Sequence, residues 1–171
     1  MLWNPCTGYT SEWLHTTASI TTSGFGYDHV NHKYKFFALL QLKSGAFISK
    51  IFTFGTNHWK IIENCPSHLV KRVSLRGVLV SGTLYWLVRV PHVVIVYLDL
   101  GSETYGELSL AHRDPDDDFR IIAAIGVLRN CLSLCLDHKK THWALWLLNN
   151  QSWTKLAMIP QNSLSTGHLK L

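Results

Sequence analysis

Short apolar runs punctuated by turn residues, not long stripes at helical spacing, set the hydrophobic pattern of this chain. Lys35-Phe36-Phe37-Ala38-Leu39-Leu40, Ala46 to Phe54, Val93 to Leu98 and Ile121 to Ile125 are rich in β-branched or aromatic residues, and turn signals bound most of them. That pattern predicts strands. Few windows sustain helical spacing without meeting a Gly, a Pro or a turn cluster. The best helical candidate, Thr141 to Leu148, reads equally well as a strand, because Trp143, Leu145 and Leu147 alternate with Ala144, Trp146 and Leu148. In Val93 to Leu98 both alternating faces are apolar, which predicts a sheet covered on both sides.

An apolar strand, a polar turn and an aromatic that opens a second strand recur along the chain. The aromatics are Trp13, Trp59, Tyr105 and Trp153, separated by 46, 46 and 48 residues. A second hairpin falls between copies, at Gly24 to Tyr27 with Tyr34 to Phe37, at Arg76 to Val80 with Thr83 to Leu87, and at Ala124 to Leu128 with Cys131 to Leu134. Two hairpins per period make about four antiparallel strands in roughly 47 residues, the length and strand count of a β-propeller blade. The expectation is an all-β fold, a partial propeller of about three to four antiparallel blades, with a single β-sandwich as the alternative. With so few blades, the first and last sheets would each leave a face uncovered, which predicts aggregation or dimerisation of the isolated chain.

Several of these segments also carry a family resemblance. Leu2-Trp3-Asn4-Pro5 resembles the opening of the F-box-associated domain of plant F-box proteins. Gly24-Phe25-Gly26-Tyr27-Asp28 with Tyr34-Lys35 resembles its second signature, and Gly77 to Leu87 is similar to its Gly-rich, Leu-Tyr-Trp-Leu hairpin. Ile95 to Leu100 with Glu103, and Leu145 to Leu148 followed by Ser152-Trp153-Thr154-Lys155-Leu156, match later segments in the right order. The resemblance implies a kelch-like propeller at residues 1–159, incomplete, with a C-terminal tail at 160–171. It also implies a protein-recognition role, holding the substrate of a Skp-cullin-F-box ubiquitin ligase. No F-box pattern precedes Leu2, so a Skp-type adaptor is expected to be a partner only through an F-box absent from this chain. A stand-alone β interaction protein, or a remnant of one, is the alternative.

Composition narrows the partners. The chain is 47% hydrophobic and 16% charged, against about a quarter charged in ordinary domains, which excludes disorder. The net charge of +5 would suit nucleic acid only if clustered. Lys71, Arg72 and Arg76, and Lys139 with Lys140, are short groups without an interleaved aromatic platform, so no nucleic-acid partner is expected. Met1 to Pro5 lacks the basic and apolar regions of a signal peptide. Val78 to Leu100 is broken by Gly82, Arg89, Pro91 and His92, which excludes a spanning helix. The expectation is an intracellular protein, cytoplasmic or nuclear, with no membrane partner.

Candidate chemistry is sparse. His138 and His142 have metal-ligand spacing, but they flank a Lys-rich turn and are expected to be exposed turn histidines, as are His29 and His32. Asp114 with Asp116 to Asp118 lacks the Gly and distal Glu of a calcium loop and reads as a solvated loop. Cys131 and Cys135 alternate on one strand and read as small buried thiols. Gly24-x-Gly26 lacks the third Gly of a phosphate cradle and reads as a strand start. No nucleophile motif occurs. No catalytic, metal or cofactor site is expected, and no substrate-binding residue stands out.

Overall fold

Twelve strands and no α-helix make up the described residues. The structure, a computed structural model, describes residues 8, 18–56, 58–67, 69–70, 76–89, 93–110, 122–138, 141–150 and 152–161. Strands β1 (Ser19–Asp28), β2 (Lys33–Gln41), β3 (Phe47–Thr53) and β4 (His58–Ile62) form sheet 1. Sheet 2 contains β5 (Val78–Val80), β6 (Thr83–Arg89), β7 (Val93–Asp99) and β8 (Thr104–Leu108). Sheet 3 contains β9 (Ile122–Leu128), β10 (Cys131–His138), β11 (His142–Asn149) and β12 (Ser152–Pro160). Every neighbour pair is antiparallel and consecutive in sequence, so each sheet is a four-stranded meander.

The tight turns follow from local chemistry. Ser81 and Gly82, between β5 and β6, have φ of 46° and 82°, and Arg129 and Asn130, between β9 and β10, have φ of 50° and 60°. Two consecutive left-handed residues match the twist of a hairpin. Gly and Asn adopt that conformation most easily.

The sheets repeat in register, not only in strand count. Trp59 pairs with Phe52, Tyr105 with Leu98, and Trp153 with Leu148. Each aromatic is the second residue of its sheet's fourth strand and lies opposite the penultimate residue of the third. The spacing seen in the sequence is therefore a structural period. Trp13 lies outside the described residues.

The three sheets stack face to face. Phe37, Leu39 and Ile51 of sheet 1 pack with Leu84, Trp86, Val88, Val96 and Leu98 of sheet 2. The rings of Phe37 and Trp86 lie 5.0 Å apart. On its other face, sheet 2 sets Val80, Leu87 and Ile95 against Leu132, Leu134, Leu136 and Ala144 of sheet 3. Neighbouring β7 residues thus serve different cores, Ile95 one and Val96 the other, which explains why Val93 to Leu98 is apolar on both faces. Two glycines set the spacing of the first interface. A Cβ on Gly24 would lie 2.6 Å from Leu84 Cδ1, and one on Gly26 would strike Leu79. The Gly77 amide donates to the Ser23 carbonyl at 2.7 Å and ties the entry of sheet 2 to β1. The arrangement is a partial β-propeller-like stack of antiparallel blades.

Two sequence expectations shift in detail. Gly24-x-Gly26 falls inside β1 and not at a strand start, because its missing side chains are needed where sheet 2 approaches. Cys131 and Cys135 lie on β10 but are half-buried, since their face of the strand points away from the Leu132, Leu134 and Leu136 face that meets sheet 2.

Candidate contact face at the turn end

Three turns meet at one end of the stack, and a buried lysine joins two of them. Asp28, the last residue of β1, accepts hydrogen bonds at Oδ1 from the amides of Val30 (2.9 Å) and Asn31 (3.0 Å). Its Oδ2 accepts from Asn31 Nδ2 at 2.8 Å and pairs with Lys35 Nζ at 2.9 Å. These bonds fold the β1–β2 turn back on its own strand, the work of an Asx-turn. Lys35 Nζ also donates to the Leu100 carbonyl (2.6 Å) and to Glu103 Oε1 (2.7 Å), both in the β7–β8 turn of sheet 2. Glu103 Oε2 accepts from the exposed Lys60 at 2.6 Å. The β7–β8 turn is braced in turn by Asp99, whose Oδ1 accepts from the Ser102 amide (2.7 Å) and hydroxyl (3.0 Å).

Charge is tightly managed here. Burial alone would raise the Asp28 carboxyl, but hydrogen bonds from the Asn31 side chain and backbone, Lys35 and the Val30 amide outweigh it and hold its pKa at about 2. Burial also opposes ionisation of Glu103, and the ammonium groups of Lys35 and Lys60 overcome it and lower its pKa. Lys35 is pushed up, since Glu103 and Asp28 outweigh its desolvation. An ammonium so bound stays protonated, so Lys35 is a fastener and not a nucleophile.

What the braced turns present is an exposed tip. Val30 stands 75% exposed at the tip of the β1–β2 turn, flanked by exposed His29, Asn31 and His32. The β5–β6 and β7–β8 turns lie directly beside it. A Cβ on Gly101 would come within 2.8 Å of Val30 Cγ2, and one on Gly82 within 3.3 Å of His29 Cδ2. Behind the tip, Tyr27 packs edge-on to His29 and Tyr34, with centroids 5.0 Å away in each case. The Tyr27 hydroxyl lies 3.3 Å from His32 Nδ1. The result is an exposed apolar tip on a hydrogen-bonded polar base.

His29 and His32 therefore sit in an exposed turn, as their sequence context suggests. His138 and His142 do not. They end β10 and begin β11 as cross-strand partners, both half-buried, because the hairpin pairing extends further into the Lys-rich segment than the turn residues imply. Asp114 to Asp118, Lys71, Arg72, Lys139 and Lys140 lie outside the described residues. Among the described residues no group of three His, Cys, Asp or Glu side chains could hold a metal ion, and no helix is long and apolar enough to cross a membrane. Sequence reasoning missed the clamp of Asp28, Lys35 and Glu103. All three lie in the segments that carry the family resemblance, which was the available signal.

Comparison with known proteins agrees with the fold. A family model described as the F-box associated beta propeller domain matches residues 1–168. The Arabidopsis thaliana putative F-box protein At3g17490 is 31% identical over 72% of this chain and 34% of its own length. The F-box protein CPR1 of the same plant is 29% identical over 86% of this chain and 43% of its own. The F-box/kelch-repeat protein At3g23880 is 30% identical over 93% and 47%. The chain spans less than half the length of each of these relatives.

Proposed function

From the premise that this chain belongs to the F-box associated beta propeller domain family, we propose that it is a protein-recognition module that holds the substrate of a Skp-cullin-F-box ubiquitin ligase inside the cell. The observation that carries this reading is the exposed Val30 turn fixed to the next blade by Lys35 and Glu103. A contact loop ordered in advance avoids the entropy loss of ordering it on binding. The family is one of interaction domains, and the face offers apolar and hydrogen-bonding contacts. Docking on a Skp-type adaptor belongs, in this reading, to an F-box segment and not to these sheets.

The test is a two-component binding assay with a purified Skp-type adaptor. The chain alone should show no binding at micromolar concentrations, and the same chain fused behind an F-box should bind. Micromolar binding by residues 1–171 alone would place the adaptor contact on the sheets and overturn the division of labour.

A further inference from the structure

Glycine at position 101 answers to Val30 and not to its own backbone. Gly82, in the neighbouring turn, has a φ of 82°, a conformation that side chains rarely adopt. Gly101 lies outside that left-handed region, so its φ does not call for glycine. Space does. A Cβ there would lie 2.8 Å from Val30 Cγ2, 3.3 Å from Val30 Cβ and 3.3 Å from Asp99 Oδ1. The residues on either side of Gly101 are pinned. The Leu100 amide donates to the Gly82 carbonyl at 3.0 Å, and the Leu100 carbonyl accepts from Lys35 Nζ at 2.6 Å. Leu100 is fully buried, and the Ser102 amide donates to Asp99 Oδ1 at 2.7 Å. Val30 is tied to Asp28 by its amide, but its side chain stands at an exposed tip. A side chain at position 101 is therefore accommodated by moving the Val30 isopropyl group, not the turn that carries Gly101.

We propose that Gly101 is a specificity-determining position: the size of the residue there sets where the Val30 tip stands, and so which protein partners the tip fits. The inference rests on the recognition role proposed above. Gly101 acts through Val30 and needs no contact with the partner, so it is a positioning residue. The turn of one blade gauges a contact group carried by the next. A Cβ at 2.8 Å has to be given several tenths of an ångström before the pair reaches ordinary contact. The core of a protein interface packs as densely as a protein interior. A gap of about 0.5–1 Å forfeits about a quarter to a half of a contact's attraction. One methyl group at position 101 thus moves Val30 on the scale that decides fit.

The test compares Gly101→Ala, Val30→Ala and the double variant. Protein half-lives are read in cells expressing the full chain fused behind an F-box, and the Val30 methyl resonances are read by NMR on the full chain. Gly101→Ala should melt within about 4 °C of wild type and bind the adaptor as wild type does. It should shift the Val30 methyl resonances and lose part of the set of proteins whose half-lives the wild type shortens. In the Val30→Ala background the contact at Cγ2 is gone, so adding Gly101→Ala should leave the set of that variant as it is. If Gly101→Ala fails to fold, recovery of the fold on adding Val30→Ala supports the pairing, and no recovery overturns it. Unmoved Val30 methyls, an unchanged set in a folded Gly101→Ala, or an effect that persists in full after Val30→Ala would overturn the proposal and leave the recognition role standing. A wild-type fusion that assembles with the adaptor and shortens no half-life overturns the recognition role itself, and this proposal with it.

Discussion

Lys35 and Glu103 are 68 residues apart in the sequence and 2.7 Å apart in space, joining the second strand of sheet 1 to the last turn of sheet 2. The lysine is 3% exposed. Lys35→Met would leave the Asp28 and Glu103 carboxylates facing each other without their shared cation. Removing one partner of a buried pair costs about 3–5 kcal/mol, and a urea midpoint should fall accordingly. Lys60→Met removes only an exposed partner of Glu103 and should cost less than about 1 kcal/mol. Equal effects would mean that Lys35 is not buried in solution.

The same cluster fixes how stability responds to acid. The Asp28 pKa is lowered from 3.8 to about 2 and that of Glu103 is also lowered. For a depressed carboxylate the stabilisation is fully present above the unfolded-state value and is lost as pH falls through the folded-state value. The raised Lys35 works the other way, contributing below its ordinary value of 10.5 and losing that contribution on the alkaline side. Stability should therefore hold through neutral pH and drop between about pH 4 and pH 2. Asp28→Asn should lower the neutral plateau and flatten that acid limb. An acid limb unchanged in the variant would assign the effect to other groups.

Gly77 tests the packing at the entry of sheet 2. A Cβ there would lie 2.7 Å from the indole of Trp86, which is fully buried. A rigid ring cannot rotate aside as the end of a leucine can. Gly77→Ala should cost about 1–3 kcal/mol, as overpacked cores do, measurable as a lowered melting temperature. An unchanged melt would mean that the indole sits elsewhere.

Trp153 links sheets 2 and 3 by a bond as well as by packing, since its Nε1 donates to the Ser109 carbonyl at 3.0 Å. Trp153→Phe keeps most of the ring and removes the donor. The expected loss is about 1 kcal/mol, read by denaturant titration. A neutral substitution would leave packing as the only link between this strand and sheet 2.

The blade pattern was legible in the sequence because it is local. Strand, turn and aromatic lie within a few residues of each other, and Trp59, Tyr105 and Trp153 take equivalent positions as their spacing implies. The two apolar faces of Val93 to Leu98 likewise foretell a sheet between sheets. The clamp was not legible as such, because Asp28, Lys35 and Glu103 meet only after two blades stack, and charged residues at turns ordinarily read as solvated. Gly24 and Gly26 looked like a strand start for the same reason, their role being set by Leu84 and Leu79 of another sheet. His138 and His142 were misread because a hairpin can carry pairing into a polar stretch that composition alone assigns to a turn.

The central claim is that this domain recognises protein through the turn end of its first blades. The most direct test measures protein half-lives across the proteome in cells expressing the chain fused behind an F-box. Wild type should shorten the half-lives of a defined set of proteins. Lys43→Ala, in the exposed β2–β3 loop at the far end of sheet 1, should act on the same set. Val30→Asp should lose that set while still binding the adaptor. A Val30→Asp protein that destabilises the same set would contradict the account, as would a wild-type fusion that assembles with the adaptor and shortens no half-life.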